Sequence, residues 1–485
     1  MQRSSVSIED SASEDITSEN SQSEQSYCAP SEEYQEPNFG LIDQLITRRG
    51  TTSTDTILPE AIKRDIGHAP LVSASVIVKY GKDLVPQYGF LGSKGTEGEV
   101  IKLFHNTNVP FSTFICGVQG SGKSHTTACM LENALIPSQQ LGRLQAPVAA
   151  LVFSYSEFSS GGSGFTLSEA AFLGSANQDT ASQKVKKITV LVSPSNPAIK
   201  KFYRAIPGIK VLEFKLRAKS LDIATLLTLM GMNEKADVPL YMAKVESILR
   251  AIATENEDGV FDYSLFKQKI GMENFDPKQT NMLDMRLGLL ESFLDKDENT
   301  PEPTFRPGEI TIMDLSDPFI TPNTACILFK LGLERFTQSR ALGKMVVLDE
   351  AHKYMLNTPG SKMLTGHLAT LIRLQRHKGV RVIISTQEPT LSTDLIALCS
   401  VTVIHRFTSP AWYSALKKHI NAMENDEEIL RQIESLETGE ALVYAPNAVM
   451  GKEEDGTLIK LPGQLLKLNI RKRITKDGGE SIMAI

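Results

Sequence analysis

Gly117-Val118-Gln119-Gly120-Ser121-Gly122-Lys123-Ser124 decides the fold of this chain. The pattern G-x-x-x-x-G-K-[ST] needs its glycines so that the backbone can curl and turn successive N–H groups onto phosphate oxygens. The lysine reaches the outer phosphates, and the final hydroxyl is set to hold Mg²⁺. The flanks agree. Residues 111–116 are an apolar run that reads as a buried strand, and residues 124–135 read as a helix. A helix N-terminus there adds its dipole to the anion site. Those eight residues and His125 are the expected nucleotide-binding set, with ATP and Mg²⁺ as ligands.

Hydrolysis also needs a metal-holding carboxylate and a base. Met345-Val346-Val347-Leu348 has the continuous apolar character of a strand buried on both faces of a parallel sheet. It ends in Asp349-Glu350, at the carboxyl edge of the sheet where open α/β folds bind ligands. Asp349 is expected to join Ser124 at the metal, and Glu350 to orient and deprotonate the attacking water. The competing reading is an acidic helix N-terminus, because residues 351–355 have helical character. His352 is expected to be an ordinary helix residue. Residues 380–385 form another strand candidate that ends in Thr386-Gln387. Gln387 is placed to touch the γ-phosphate or the water, the alternative being a surface loop.

The letters Asp349-Glu350-Ala351-His352 invite comparison with superfamily-2 helicases, but the spacing excludes it. Lys123 and Asp349 are 226 positions apart, and only 133 residues follow His352, too few for a second lobe. The order of motifs over about residues 111–446 instead resembles the HerA–FtsK family of ring-forming DNA-pumping ATPases, nearer its HerA branch. Beyond the loop and the acidic strand, Arg373-Leu374-Gln375-Arg376-His377-Lys378-Gly379-Val380 is similar to the family's Arg-Glu-Gly-Arg-Lys-x-Gly-Val stretch. Ser385-Thr386-Gln387-Glu388-Pro389 matches its Thr-Gln-x-Pro sensor, and residues 398–406 are similar to a strand that ends in arginine. Residues 310–315 resemble the strand before the metal site. Phe153-Ser154-Tyr155-Ser156-Glu157-Phe158 departs from the family's Asp-x-x-Gly-Glu-Tyr turn by lacking the leading Asp. No counterpart of the family's N-terminal β-barrel is evident before residue 111.

The resemblance implies a RecA-like parallel sheet flanked by helices, ATP hydrolysis, a homo-hexamer, DNA as partner, and a nuclease or other effector. It also implies an arginine supplied to a neighbouring subunit's nucleotide, with Arg406 the first candidate and Arg376 the second.

Residues 1–38 hold nine acids against Arg3 alone, net −8, with many serines and few apolar residues. Such a segment cannot offset its chain entropy and is expected to be a disordered tail. The whole chain is −6, so the remainder is +2, which is not a DNA-coating charge. Any nucleic-acid contact must then be local. Residues 39–110 are expected to form a small β-rich lead-in, with residues 72–80 among its β-like runs. The ATPase domain is expected over residues 111–450, with a flexible loop at 159–164 and a helical insertion at about 195–305. A strand and tail follow at 451–485. Lysines at 184, 186, 187, 200 and 201, with Arg204, face either solvent or nucleic acid. Five cysteines without paired spacing (28, 116, 129, 326, 399) indicate a reducing compartment with neither disulfides nor zinc. No apolar run is long enough to cross a membrane, and the acidic start is unlike a secretory signal. A cytoplasmic or nuclear protein is expected.

Three functional classes fit the residues. The first is a DNA-translocating ring. The second is an ATPase that remodels protein or a secretion- or virion-like assembly, and the third a nucleotide-dependent switch. Glu350 argues against the third, since a pure switch needs no base.

Overall fold

A computed structural model describes residues 58–478, apart from 96–99, 157–166, 178–182, 218–225, 228–239, 256–261, 296–301, 390–392, 424–425 and 455–456. The acidic segment 1–38, the first part of the lead-in and the loop at 159–164 lie outside the described residues. Residues 58–485 make up one unit. It begins with α1 (Glu60–His68), β1 (Leu71–Ser73), α2 (Ala74–Tyr80), β2 (Tyr88–Lys94) and β3 (Ile101–His105). The phosphate-loop unit follows as β4 (Ser112–Cys116) and α3 (Lys123–Leu135), then β5 (Gly142–Arg143) and β6 (Ala149–Ser154). Next come β7 (Lys187–Val192), α4 (Pro197–Arg204), β8 (Ile209–Glu213), α5 (Leu240–Glu255), α6 (Tyr263–Gly271), α7 (Pro277–Phe293) and β9 (Glu309–Asp314). The acidic strand and its neighbours are α8 (Pro322–Thr337), β10 (Lys344–Leu348), α9 (Pro359–Arg373), α10 (Gln375–Lys378), β11 (Val380–Thr386), α11 (Thr393–Leu398) and β12 (Val401–Ile404). The chain closes with α12 (Pro410–Lys417), α13 (Asp426–Glu434), β13 (Glu440–Tyr444), β14 (Val449–Lys452), β15 (Leu458–Lys460) and β16 (Leu465–Ile470).

The strands join one sheet. Its parallel part runs β12-β4-β11-β10-β6-β9-β7-β8. Every residue of β4, β6, β10 and β11 is buried, which is why their sequences are mostly apolar on both faces. The loop-bearing β4 and the acid-bearing β10 are not neighbours, because β11 lies between them. Ile384 pairs with both Phe114 and Leu348, so the three strands end at the same edge, β10 two residues before β4 and β11. That register brings the loop, the acids and Gln387 to one edge. The fold is RecA-like, as expected.

Beyond β12 the pairing turns antiparallel, through β13, β16, β2, β3 and β1. Residues 72–80, expected to be β-like, are the last two residues of β1 followed by the helix α2. Ser73 Oγ accepts the Val76 N–H at 3.4 Å and caps α2, which then buries Val76 and Tyr80 one turn apart. The stretch at 195–305 holds the expected helices, but also β8, which pairs in parallel with β7 through α4 and widens the sheet.

The strand expected at 464–475 is β16, and residues after it form an arm against α3. Arg471 is 8% exposed and Glu132 of α3 is fully buried; Arg471 Nη1 lies 2.7 Å from Glu132 Oε2. Arg471 also donates to the carbonyls of Phe90 and Cys129 and to Asn133 Oδ1. Glu132 Oε1 accepts from the Thr475 hydroxyl at 2.6 Å and from the Thr475 N–H at 3.0 Å. A buried ion pair repays its desolvation only when its remaining hydrogen bonds are met in this way. Among the described residues no disulfide forms; four cysteines are free. No helix among them is long and apolar enough to cross a membrane.

Candidate active site

The phosphate loop folds as its glycines allow. Gly117 has φ 153°, and a Cβ there would lie 2.7 Å from both His405 Cβ and Ser121 Oγ. Gly120 faces open space, so its requirement is conformational, at φ 73°. Ser121 Oγ donates to the Val118 carbonyl at 2.7 Å, and the Val118 N–H donates to the Arg406 carbonyl at 2.9 Å. No side chain caps the start of α3, so its first N–H groups remain for an anion. Lys123 is 3% exposed and its Nζ donates to the Val118 carbonyl at 3.0 Å. Burial holds its pKa below the ordinary lysine value, against the pull of Glu350 and Asp349.

Beneath the loop lies His405, which is fully buried. Its Nδ1 lies 3.0 Å from the Glu440 carbonyl and its Nε2 2.9 Å from Thr126 Oγ1. These partners assign a neutral ring that donates through Nδ1 and accepts through Nε2. Burial pushes its pKa down to about 4. His405 therefore acts as a fixed neutral support for the loop. His125 turns the other way, its Nε2 2.8 Å from the Arg471 carbonyl of the arm.

Asp349 and Glu350 follow β10 directly. Asp349 Oδ1 is buried with no hydrogen-bond partner. Its carboxyl is pushed up to about 7, by burial first and then by Glu350. A buried carboxylate oxygen without a donor, facing a cleft shared with Ser124, is the oxygen set that a hard cation takes. The residues fit Mg²⁺. Glu350 is the single non-glycine with positive φ among the described residues, at φ 47° and ψ 45°. The residues after it form the short 3₁₀ turn Ala351–Lys353 rather than the longer helix considered from sequence. Its Oε2 accepts from Gln387 Nε2 at 2.8 Å, and its Oε1 lies 3.9 Å from Lys123 Nζ.

His352, expected to have no role, sits in this cluster. Its Nδ1 is 3.4 Å from Glu350 Oε2 and 3.4 Å from the Gln387 N–H. Burial lowers its pKa, opposed by the Glu350 charge, and a neutral ring accepts the Gln387 N–H through Nδ1. The two candidate arginines lie apart. Arg406 is exposed and its carbonyl belongs to the subunit's own loop. Arg376 is exposed in α10, before the first residue of β11, and thus at the opposite end of the sheet from Gln387. Lys187 and Lys200 are paired with Glu309 and Glu213. Glu169, which sequence reading passed over, lines the cleft beside Asp349.

A phosphate loop and an acid pair on strands separated by one intervening strand, with a polar sensor on that strand, define a P-loop NTPase. Residues 341–452, which span β10 to β14, match the helicase HerA-like C-terminal family model. Over that stretch the chain is similar to HerA-type ATPases. No curated protein matches it. Among solved structures, VirB4 of Thermoanaerobacter pseudethanolicus is similar at 13% identity and a TM-score of 0.48, over 79% of this chain and 96% of that one. The plasmid coupling protein TrwB, solved with a GTP analogue, gives 10% identity and 0.41 over 76% and 87%. The genome packaging NTPase B204 of Sulfolobus turreted icosahedral virus 2, solved with ATP-gammaS, gives 10% and 0.27 over 73% and 98%.

Proposed function

We propose that this chain hydrolyses ATP as a member of a head-to-tail ring and uses the turnover to move along DNA. The observation that carries the hydrolytic part is Glu350, aimed by a left-handed backbone and tied through Oε2 to Gln387. A carboxylate held on one oxygen keeps the other for a water proton, which is what a general base needs. Lys123 Nζ rests on the Val118 carbonyl and would exchange that bond for phosphate oxygens. Ser124 and Asp349 would hold Mg²⁺, which when bound neutralises charge on the transferring phosphates. The DNA part is supported by the match to a helicase family model over residues 341–452.

The ring is supported by where the arginines sit. At about 3.3 Å per residue, the seven residues of β11 put about 20 Å between Arg376 and the subunit's own Gln387. Arg376 is thus out of reach of its own nucleotide, and in a ring of heterologous contacts it would be offered to a neighbour's. Arg406, beside its own loop, serves its own nucleotide in this reading. ATPase turnover measured with and without single- and double-stranded DNA tests the proposal: turnover unchanged by either polymer would favour a protein substrate instead. Mixing Arg376→Ala subunits with Glu350→Gln subunits tests the ring, because some interfaces then regain both groups. Mixed activity no greater than that of either variant alone would refute trans action by Arg376.

A further inference from the structure

Glu169 opens the 3₁₀ turn Glu169–Gly174 and has no part in the chemistry above. It lines a cleft between α3 and β10 with Ser124, Thr127, Val347 and Asp349. The cleft therefore contains both proposed metal ligands and a second carboxylate beside that of Asp349. Asp349 Oδ1, buried and without a donor, belongs to the same cleft.

The arm fixes Glu169 from its other side. Arg473 Nη1 lies 3.5 Å from Glu169 Oε2 and 3.4 Å from Asp477 Oδ1, and Arg473 is 8% exposed. Its Nη2 donates to the Lys476 carbonyl at 2.9 Å. Thr475 of the same segment is bonded to Glu132 of α3, so the guanidinium is anchored to the helix that carries Ser124. Mg²⁺ keeps several waters when bound by one or two protein ligands and phosphates. Acids just outside the ligand set take hydrogen bonds from such waters and tune affinity.

We propose that Glu169 is a positioning residue for the Mg²⁺ of the nucleotide complex, accepting from its retained waters, and that Arg473 sets its orientation from the C-terminal arm. The inference rests on the assignment of Ser124 and Asp349 as the metal's own ligands. It makes magnesium affinity, and not only folding, depend on residues that follow the last strand.

The test uses the full chain and a fluorescent non-hydrolysable ATP analogue, titrated with Mg²⁺. Glu169→Gln should raise the Mg²⁺ concentration for half-maximal binding by about 10-fold, the low end of the outer-shell range. Its binding in excess chelator should match wild type. Glu169→Asp, which keeps the charge but shortens the reach, should fall between. Arg473→Gln should raise the midpoint, and Arg473→Lys should restore most of it. A role confined to packing would shift melting temperature and nucleotide binding equally with and without Mg²⁺, and would overturn the proposal. A Glu169→Gln midpoint equal to wild type, with Asp349→Asn strongly shifted, overturns this inference alone. An unshifted Asp349→Asn overturns the metal assignment and this inference with it.

Discussion

The two sides of the sheet divide the work differently. In the parallel part, β4, β6, β10 and β11 are buried throughout, and the polar residues come where those strands end. In β16 of the antiparallel part burial alternates: Leu466 and Leu468 are buried while Lys467 and Asn469 are exposed. None of its strands carries a proposed catalytic side chain. Yet the segment leaving β16 sends Arg471 under α3 and Arg473 to Glu169. One side does chemistry with three short segments that follow its strands; the other supports it through contacts spanning more than 300 positions.

Glu350→Gln attacks the first side and should have the largest effect. Turnover should fall by about 10²- to 10⁴-fold, the range for losing a general base, while ATP binding persists. A steady-state assay beside a binding isotherm checks both, and wild-type turnover would remove Glu350 from its role. Arg471→Ala attacks the second side. Glu132 would keep its buried charge without its partner, at a cost of about 3–5 kcal/mol. Denaturant unfolding reads this directly, and a loss under about 1 kcal/mol would show the arm to be dispensable.

A pH profile sharpens the contrast, because here the chemical side costs stability. Asp349 has a folded pKa of about 7 against an ordinary 3.8. Between those values the native state holds a proton that the unfolded state releases. Nucleotide-free stability should therefore fall as pH rises through about 4 to 7 and stay reduced above it. Asp349→Asn should flatten that profile and be more stable than wild type at pH 8 in denaturant unfolding, by up to about 4 kcal/mol. Identical pH profiles would mean that Asp349 is not strained by burial in the free protein.

What could be read beforehand follows the same division. The phosphate loop, Asp349-Glu350 and Thr386-Gln387 are polar interruptions at the ends of apolar runs, a pattern confined to a few neighbouring letters. His352 was passed over because a helix and a 3₁₀ turn look alike over five residues, and only the turn puts the ring on Glu350. His405 gives no local sign, since its partners are Thr126 and the Glu440 carbonyl, from two other elements. Arg471, Arg473 and Glu169 look like solvated charges until the arm is folded against α3. The misread stretch at 72–80 does carry a sign, the Ser73 cap, but its β-branched valines outweighed it.

The clamp between Glu132 and Arg471 also bears on how the chain is made. Synthesis delivers residues in order, and domains tend to fold as they emerge. Here the helix that carries Lys123 and Ser124 appears early, but its buried carboxylate has no counter-ion until residue 471. The strands on either side of β4 are late as well, beginning at Val380 and Val401. A nascent chain thus holds a complete phosphate-loop sequence long before it can hold a phosphate loop. Nucleotide binding therefore waits on segments that lie more than 250 positions downstream of the loop they complete.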